Sequence, residues 1–325
     1  MKKLALAAFT TVATLSLVCG PALAEYPERD IRVVVPWGAG GGTDGIVRKL
    51  TTIAEGQLNT SMYVENIEGG ISATGISEVM SARPDGYTIG MLTYDSVITV
   101  PWQALLPNYK LDRLELIARV TSEPDALIAA ASSPYESLSD VLEAAKAAPG
   151  KVRIGMQNIG SRLHLAALQL QQETGTEFKL IAYPGGAAQQ KEAMLNGEVE
   201  LVTTSLGDFS SLLNEDSARG IVEFSDTPNP TYSDVPTAAD EDLSLRMGSF
   251  IVVAAPAGVS EEVVGKIEAA YRFALDSDEF QSWVADVGVT PNWLGSDEVG
   301  AWASDTQAGI FKQLDELVAS GVISK

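Results

Sequence analysis

The stretch from Ile31 to Leu50, IRVVVPWGAGGGTDGIVRKL, constrains this chain most. Ile31, Val33, Val34 and Val35 form a short β-branched run that reads as a buried strand. Pro36 ends it, because proline has no N–H to give a sheet ladder. Gly38, Gly40, Gly41 and Gly42 follow within five residues, and Thr43 and Asp44, both good helix N-caps, come next. Ile46, Val47 and Leu50 then have the spacing of a helix with one buried face. The order is strand, glycine loop, helix. Such a loop leaves backbone N–H groups unpaired at the positive end of a helix dipole, and glycines let an anion come close to them. The alternative is a tight strand-to-helix turn without a ligand. The run of three glycines weighs against it, because each glycine costs backbone entropy.

The kind of anion narrows further. A phosphate-binding P-loop needs Lys-Ser/Thr after its last glycine, where this chain has Thr43-Asp44. The dinucleotide pattern G-x-G-x-x-G, started at Gly38 and Gly40, meets Thr43 at its third position. Asp44 at the helix mouth would also repel a highly charged phosphate. A carboxylate is the expected ligand group, each charge-assisted bond contributing about 1.5–3 kcal/mol.

Residues 1–24 read as an export signal. Lys2 and Lys3 make the charged end, Leu4 to Val18 the apolar stretch, and Ala22-Leu23-Ala24 an A-x-A site. Cys19 lies within it, and Val18 before that cysteine is a poor match to a lipoprotein box. Cleavage is expected after Ala24, leaving 325 − 24 = 301 residues and no cysteine in the periplasm. Loss of the two lysines takes the net charge from −21 to −23. That speaks against nucleic acid and anionic membrane surfaces as partners. Screening limits distant charges to about 10 Å at ordinary salt, so an anion held at contact distance by the loop remains compatible. No other apolar run is long enough to span a bilayer. About 300 residues is the upper end for one core, so two domains are expected.

Other chemistry is sparse. His164 is the one histidine and the mature chain has no cysteine, so neither a zinc site nor a disulfide is expected, and no cofactor is foreseen. No G-x-S-x-G elbow surrounds a serine. Asp and Glu are plentiful, but no paired set stands out. His164, one turn into a helix, reads as a packed or capping residue or as a ligand contact. Arg162 reads as a fork for a carboxylate or as a surface arginine. Trp37, beside the glycine loop, reads as a pocket wall or as core.

Along the chain, Glu65 to Gly75 reads as a polar loop, Ile76 to Ala82 as a short helix and Tyr87 to Leu92 as a strand. Thr93 to Ser96 is a second candidate loop at a strand's C-terminal end, the edge where open α/β sheets bind ligands. Leu116 to Val120 and Ala126 to Ala131 read as two strands marking the crossing into the second domain. Ser137 to Ala148 reads as a helix with Ser137 and Asp140 spaced as a capping box. Val152 to Met156, the loop Gln157 to Ser161 and a helix from Arg162 to Thr174 repeat the strand–polar loop–helix order. A strand from Leu180 to Tyr183 leads to Pro184-Gly185-Gly186-Ala187-Ala188, which opens the next helix. Strands follow at Glu198 to Thr203 and Ser249 to Ala255, with a proline-rich loop between them at Ser225 to Pro236. Amphipathic helices at Glu261 to Leu275 and Glu298 to Ala319 fit a C-terminal pair packed back on the first domain.

These residues also carry a resemblance. Val34 to Asp44, VVPWGAGGGTD, resembles the opening signature of the substrate-binding proteins of tripartite tricarboxylate transporters, the Bug or TctC-like family. In register with it stand Val64-Glu65-Asn66 with Gly69-Gly70, then Pro84-Asp85-Gly86-Tyr87-Thr88. Gly160-Ser161 with His164-Leu165 resembles the family's G-S-x-x-H-L. Tyr183-Pro184-Gly185-Gly186 and Asp234-Val235-Pro236-Thr237 complete the series. The resemblance implies an α/β, two-domain periplasmic-binding-protein fold of the Venus-flytrap, type II-like kind, with the ligand in the cleft between domains. Residues 25–125 plus 248–325 would form the first domain and 126–247 the second. It implies capture of a small organic carboxylate through backbone amides and ordered waters. Delivery would be to the large and small integral membrane subunits of a transporter, docked transiently by a monomer. The first domain would contribute Trp37, Gly40, Gly41, Gly42, Thr43, Asp44 and Thr93. The second would contribute Gln157, Ser161, Arg162, His164, Tyr183, Gly185, Gly186 and Ala187. Asn196 stands where a glycine is usual and should alter only a turn. Arg162 lies at a variable position of its motif. Asp208, in the segment Ser205 to Phe209 where members differ, belongs to the part that sets the ligand. A ligand-presenting sensory protein and a periplasmic hydrolase using His164 are the competing readings.

Overall fold

The computed structural model describes residues 26–319, 321 and 323. The export signal and its cleavage point after Ala24 lie outside the described residues. β1 (Ile31–Val35) is buried at every position but Arg32. α1 (Gly42–Leu58) follows the glycine loop and buries Ile46, Val47, Leu50 and Ala54. β2 (Met62–Asn66) pairs parallel with β1, so the predicted polar loop from Glu65 starts two residues inside a strand. Alternating exposure along β2 marks it as the sheet edge, where polar side chains are tolerated. α2 (Ala73–Ser81) returns the chain to β3 (Thr88–Leu92), parallel to β1 on its other side. A π-helical turn, Asp95–Thr99, runs into α3 (Val100–Trp102).

β4 (Leu114–Ala130) is one strand of 17 residues where two were predicted. The residues between the two predicted strands, Thr121 to Asp125, are mostly polar and hold Pro124. In the fold Thr121, Glu123 and Asp125 are buried, and the next N–H, that of Asp125, reaches Met247 O at 2.8 Å. Beyond β4 come α4 (Leu138–Ala147), β5 (Arg153–Met156), α5 (Arg162–Thr174), β6 (Lys179–Ala182), α6 (Ala187–Leu195), β7 (Leu201–Ser205), α7 (Ser210–Asn214) and β8 (Ala218–Glu223). Both halves of the predicted capping box on α4 are made, Ser137 accepting from Asp140 N and Asp140 from Ser137 N. β9 (Gly248–Pro256), α8 (Glu261–Asp276), α9 (Asp278–Val287), β10 (Pro291–Leu294) and α10 (Ser296–Ala319) complete the described chain.

The strand order is β2-β1-β3-β9-β4-β7-β5-β6, with β8 and β10 also on β4. Leu114 to Pro124 of β4 pair with β9, and Asp125 to Ala129 pair with β7. One strand therefore serves two lobes. Gly248 faces Pro124 at the crossing, and a Cβ there would stand 2.5 Å from Glu123 O, so the close approach needs glycine. Each lobe carries an apolar cluster on either face of its sheet. Ile31, Leu50 and Tyr271 belong to one cluster of the first lobe and Val34, Leu92 and Trp102 to the other. In the second lobe the period-2 alternation of β4 sends Leu127 and Ile128 to opposite clusters. The C-terminal helices pack on the first lobe, with Lys49 to Glu279 at 2.6 Å and Gln307 to Val97 O at 2.7 Å. Among the described residues no helix is long and apolar enough to cross a membrane.

Candidate ligand-binding cleft

Parallel strands bring the C-terminal ends of β1 and β3, and of β5 and β6, to the edge where the lobes face each other. A small cavity of about 30 Å³ lies there. Trp37, Thr43, Thr93 and Asp95 line it from the first lobe, and Gln157, Arg162, Leu163, Ala187, Gln190 and Asp208 from the second, with Ser249 at the crossing. Seven of the predicted site residues thus meet: Trp37, Thr43, Thr93, Gln157, Arg162, Ala187 and Asp208.

On the first-lobe side, Gly40 has φ +82°, a backbone setting that favours glycine. Gly41 is the N-cap of α1 and supplies no side chain, so Thr43 and Asp44 lie in the first turn instead of capping it. Asp44 is buried. Its carboxylate accepts from Gly40 N–H at 3.0 Å, from Asn66 Nδ2 at 2.9 Å and from Arg48 Nε at 2.9 Å. Burial alone would raise its pKa, but Arg48, Gly40 N–H and Asn66 outweigh burial and hold the carboxyl below its ordinary range. One loop N–H is therefore already bound to the protein's own carboxylate. Trp37 Nε1 donates to Thr93 Oγ1 at 3.1 Å and ties the two first-lobe segments together. The predicted open loop at Thr93 to Ser96 instead leads into the π-helical turn, with Thr93 N–H donating to Ser96 Oγ at 3.1 Å.

On the second-lobe side, Ser161 caps α5, and its hydroxyl donates to Asn158 O at 2.8 Å. His164 Nδ1 accepts from Gly160 N–H at 2.9 Å, and burial keeps its pKa below the ordinary histidine value. Both residues hold the loop from Gln157 to Ser161 by these bonds. Gly185 N–H donates to Gln189 Oε1 at 2.9 Å, Gly186 has φ +74° at the start of α6, and Tyr183 OH reaches Glu198 at 3.3 Å. Gly40, Gly41, Gly42, Asp44, Ser161, His164, Tyr183, Gly185 and Gly186 do not line the cavity.

Arg162 is buried, so the surface-arginine reading fails. Its N–H donates to Asp95 Oδ1 at 3.0 Å across the lobes, and its guanidinium pairs with Asp125 of β4. The fork thus meets a carboxylate of the protein. Burial pushes the pKa of Arg162 down, against Asp95 and Asp208. Burial pushes that of Asp95 up, opposed by Arg162. Burial, then Asp208, push Glu123 up to about 7. Asp95, Glu123, Asp125 and Asp208 gather around one arginine. They come from β4 and from segments after β3 and β7, so no local spacing announces them. Asp95, Leu163, Gln190 and Ser249 are the lining residues that sequence reasoning missed. Asp95 alone had a local signal, its place just after a strand end. Among the described residues no such group has the arrangement of a metal site.

The lobes touch. A Cβ on Gly42 would lie 1.6 Å from Asp208 Oδ1, and Gln103 Nε2 donates to Gly160 O at 2.7 Å. A cavity of 30 Å³ holds about one water's share of volume, so an organic acid needs the lobes to part. A second cavity of about 1150 Å³ lies between α10 and the crossing strands, among Tyr94, Leu165, Met247, Phe250, Ile310 and Leu314. The glycine loop and the loops at 157–161 and 183–187 do not line it.

The family model described as tripartite tricarboxylate transporter family receptor matches residues 46–314. A UPF0065 protein encoded in the gbd 5' region of Cupriavidus necator is 26% identical over 297 residues, 90% of each chain. The solved structure of the periplasmic binding protein BugD is 25% identical, with a TM-score of 0.84 over 92% of this chain and 100% of its own. MatC from Rhodopseudomonas palustris, solved with bound malate, has the same fold at 22% identity and a TM-score of 0.80, over 87% of this chain and 98% of its own. With its two-lobed sheet and its cleft at the glycine loop, the chain belongs to the tripartite tricarboxylate transporter receptor family of periplasmic solute-binding proteins.

Proposed function

We propose that this protein captures a small organic carboxylate between its lobes and hands it, as a monomer docking transiently, to the large and small membrane subunits of a tripartite transporter. The meeting of Trp37, Thr43 and Thr93 from one lobe with Gln157, Arg162, Ala187 and Asp208 from the other at one cavity carries this reading. The loop from Gly40 to Asp44 would hold the carboxylate through N–H groups of the first turn of α1. Thr43 and Thr93 would add hydroxyls, and Trp37 a flat wall. Gln157, Arg162, Ala187 and Asp208 would close over the ligand from the other lobe, positioned by Ser161, His164, Tyr183, Gly185 and Gly186. Residues 25–125 plus 248–325 and residues 126–247 would move as bodies about β4 and β9. Export with cleavage after Ala24 would deliver the mature chain to the periplasm.

Capture without bond chemistry fits the state of His164 and Ser161. His164 Nδ1 accepts from Gly160 N–H and the Ser161 hydroxyl donates to Asn158 O, so the two side chains are not bonded to each other as base and nucleophile. Desolvation in the closed cleft would strengthen each hydrogen bond to the acid.

A thermal-shift panel on the mature chain, stripped of ligand by unfolding and refolding, tests the proposal. The panel spans mono-, di- and tricarboxylates, malate among them, with aromatic acids and amino acids. A ligand at a hundred times its Kd adds about 2.7 kcal/mol, which for a chain of this size is a rise of about 4 °C or more. A rise with one acid class, lost in Gly41→Leu, is the expected result. A rise with a sugar or nucleotide and with no acid overturns the carboxylate reading.

A further inference from the structure

The charge of the cleft points to a feature of the ligand beyond its carboxylate, an inference that rests on the capture reading above. Two carboxylates, Asp95 and Asp208, line the cavity beside Arg162, whose guanidinium is already paired with a third, that of Asp125. The other nearby cation, Lys191, feels Asp208 and is itself held down by burial. A ligand carrying only negative groups would close into a site that has a surplus of them.

A second observation is independent of charge. Gln190 is fully buried and lines the cavity. Its Nε2 donates to Gly155 O at 3.2 Å and to Thr203 O at 3.0 Å. Two carbonyl acceptors around that nitrogen fix which way the amide faces. Its Oε1 is then a buried acceptor with no partner. Such an atom costs free energy unless a donor meets it. Asp208 lines the same cavity; its Oδ2 accepts from Thr204 Oγ1 at 3.1 Å, and its Oδ1 is turned to the glycine loop at Gly42. Both groups accept, and neither can bind a carboxylate.

We infer that the ligand carries a protonated amine beside its carboxylate, with the carboxylate at the glycine loop and the ammonium between Asp208 and Gln190. The ammonium supplies three donors to those acceptors and one positive charge to the acidic set. Asp208 is then the residue that selects an amino-bearing acid over the same acid without its amine.

Calorimetric titration of the mature protein at pH 7.5 with matched pairs tests this: succinate and aspartate, butyrate and 4-aminobutyrate, adipate and 2-aminoadipate. In at least one pair the amino member is expected to bind tenfold or more tightly than its partner. Asp208→Asn is expected to shrink that ratio at least tenfold, through weaker binding of the amino member. An amine-free acid that binds as tightly as its amino counterpart overturns the inference and leaves carboxylate capture standing. So does an unchanged ratio in Asp208→Asn. The wild-type ratio alone decides the matter if the variant fails to fold. Binding of a sugar or nucleotide with none of the acids overturns both readings.

Discussion

Replacing Gly42 by alanine should separate closure of the cleft from stability of the fold. The three heavy atoms nearest the added Cβ all belong to Asp208: Oδ1 at 1.6 Å, Cγ at 2.7 Å and Cα at 3.2 Å. Turning the Asp208 side chain would clear the first two but leave the backbone Cα inside ordinary contact, so the lobes must stay further apart. Gly42 lacks the positive φ that would penalise alanine, and it begins a helix, where alanine is favoured by up to about 1 kcal/mol. The open protein should thus melt no lower than wild type. Overpacking of this kind costs about 1–3 kcal/mol, here only in the closed state, which corresponds to a Kd raised about 5- to 150-fold. Calorimetry with the acid that gives the largest thermal shift measures it, and a double-mutant cycle with Asp208→Ala should show strong coupling between the two sites. Unchanged affinity in Gly42→Ala, or additive effects in the cycle, would refute the idea that capture closes the lobes at the contact between Gly42 and Asp208.

Other perturbations test the interior of the site. Glu123, raised to about 7 from an ordinary 4.5, holds its proton in the folded state while the unfolded chain has lost it. Its influence therefore lowers stability as pH rises from 4.5 to 7, by about 3 kcal/mol in total. Glu123→Gln should match wild type near pH 5 and exceed it at pH 8 in urea melts. Arg162→Met leaves Asp125 buried without its counter-charge and should cost about 3–5 kcal/mol, largely recovered in Arg162→Met with Asp125→Leu. His164 has a lowered pKa, so the unfolded chain takes up its proton first and stability declines as pH falls below about 6.5. His164→Ala should lose that decline, along with about 1 kcal/mol from the unpaired Gly160 N–H, in thermal melts at pH 5 and 7.5.

The first unit, β1 with its glycine loop and α1, was legible in the sequence because short-range rules govern it. Side-chain period decides strand and helix, proline ends the ladder, and glycine supplies the left-handed backbone at Gly40. The capping box at Ser137 and Asp140 was legible for the same reason. The family signature added the remaining loop segments, since each keeps its own turn chemistry. β4 was not legible as one strand. Its polar middle, Thr121 to Asp125, is buried only because β9 and β7 cover successive stretches of it, and partners distant in sequence leave no local period.

What the sequence determined by itself is where the loops and helix starts lie, and hence that backbone donors cluster at the cleft edge. Tertiary structure alone decided what faces those donors. Arg162 meets Asp95 from 67 residues away, and Asp208 reaches Gly42 from the opposite lobe. The strand order sets those meetings, and through them the charge of the cleft.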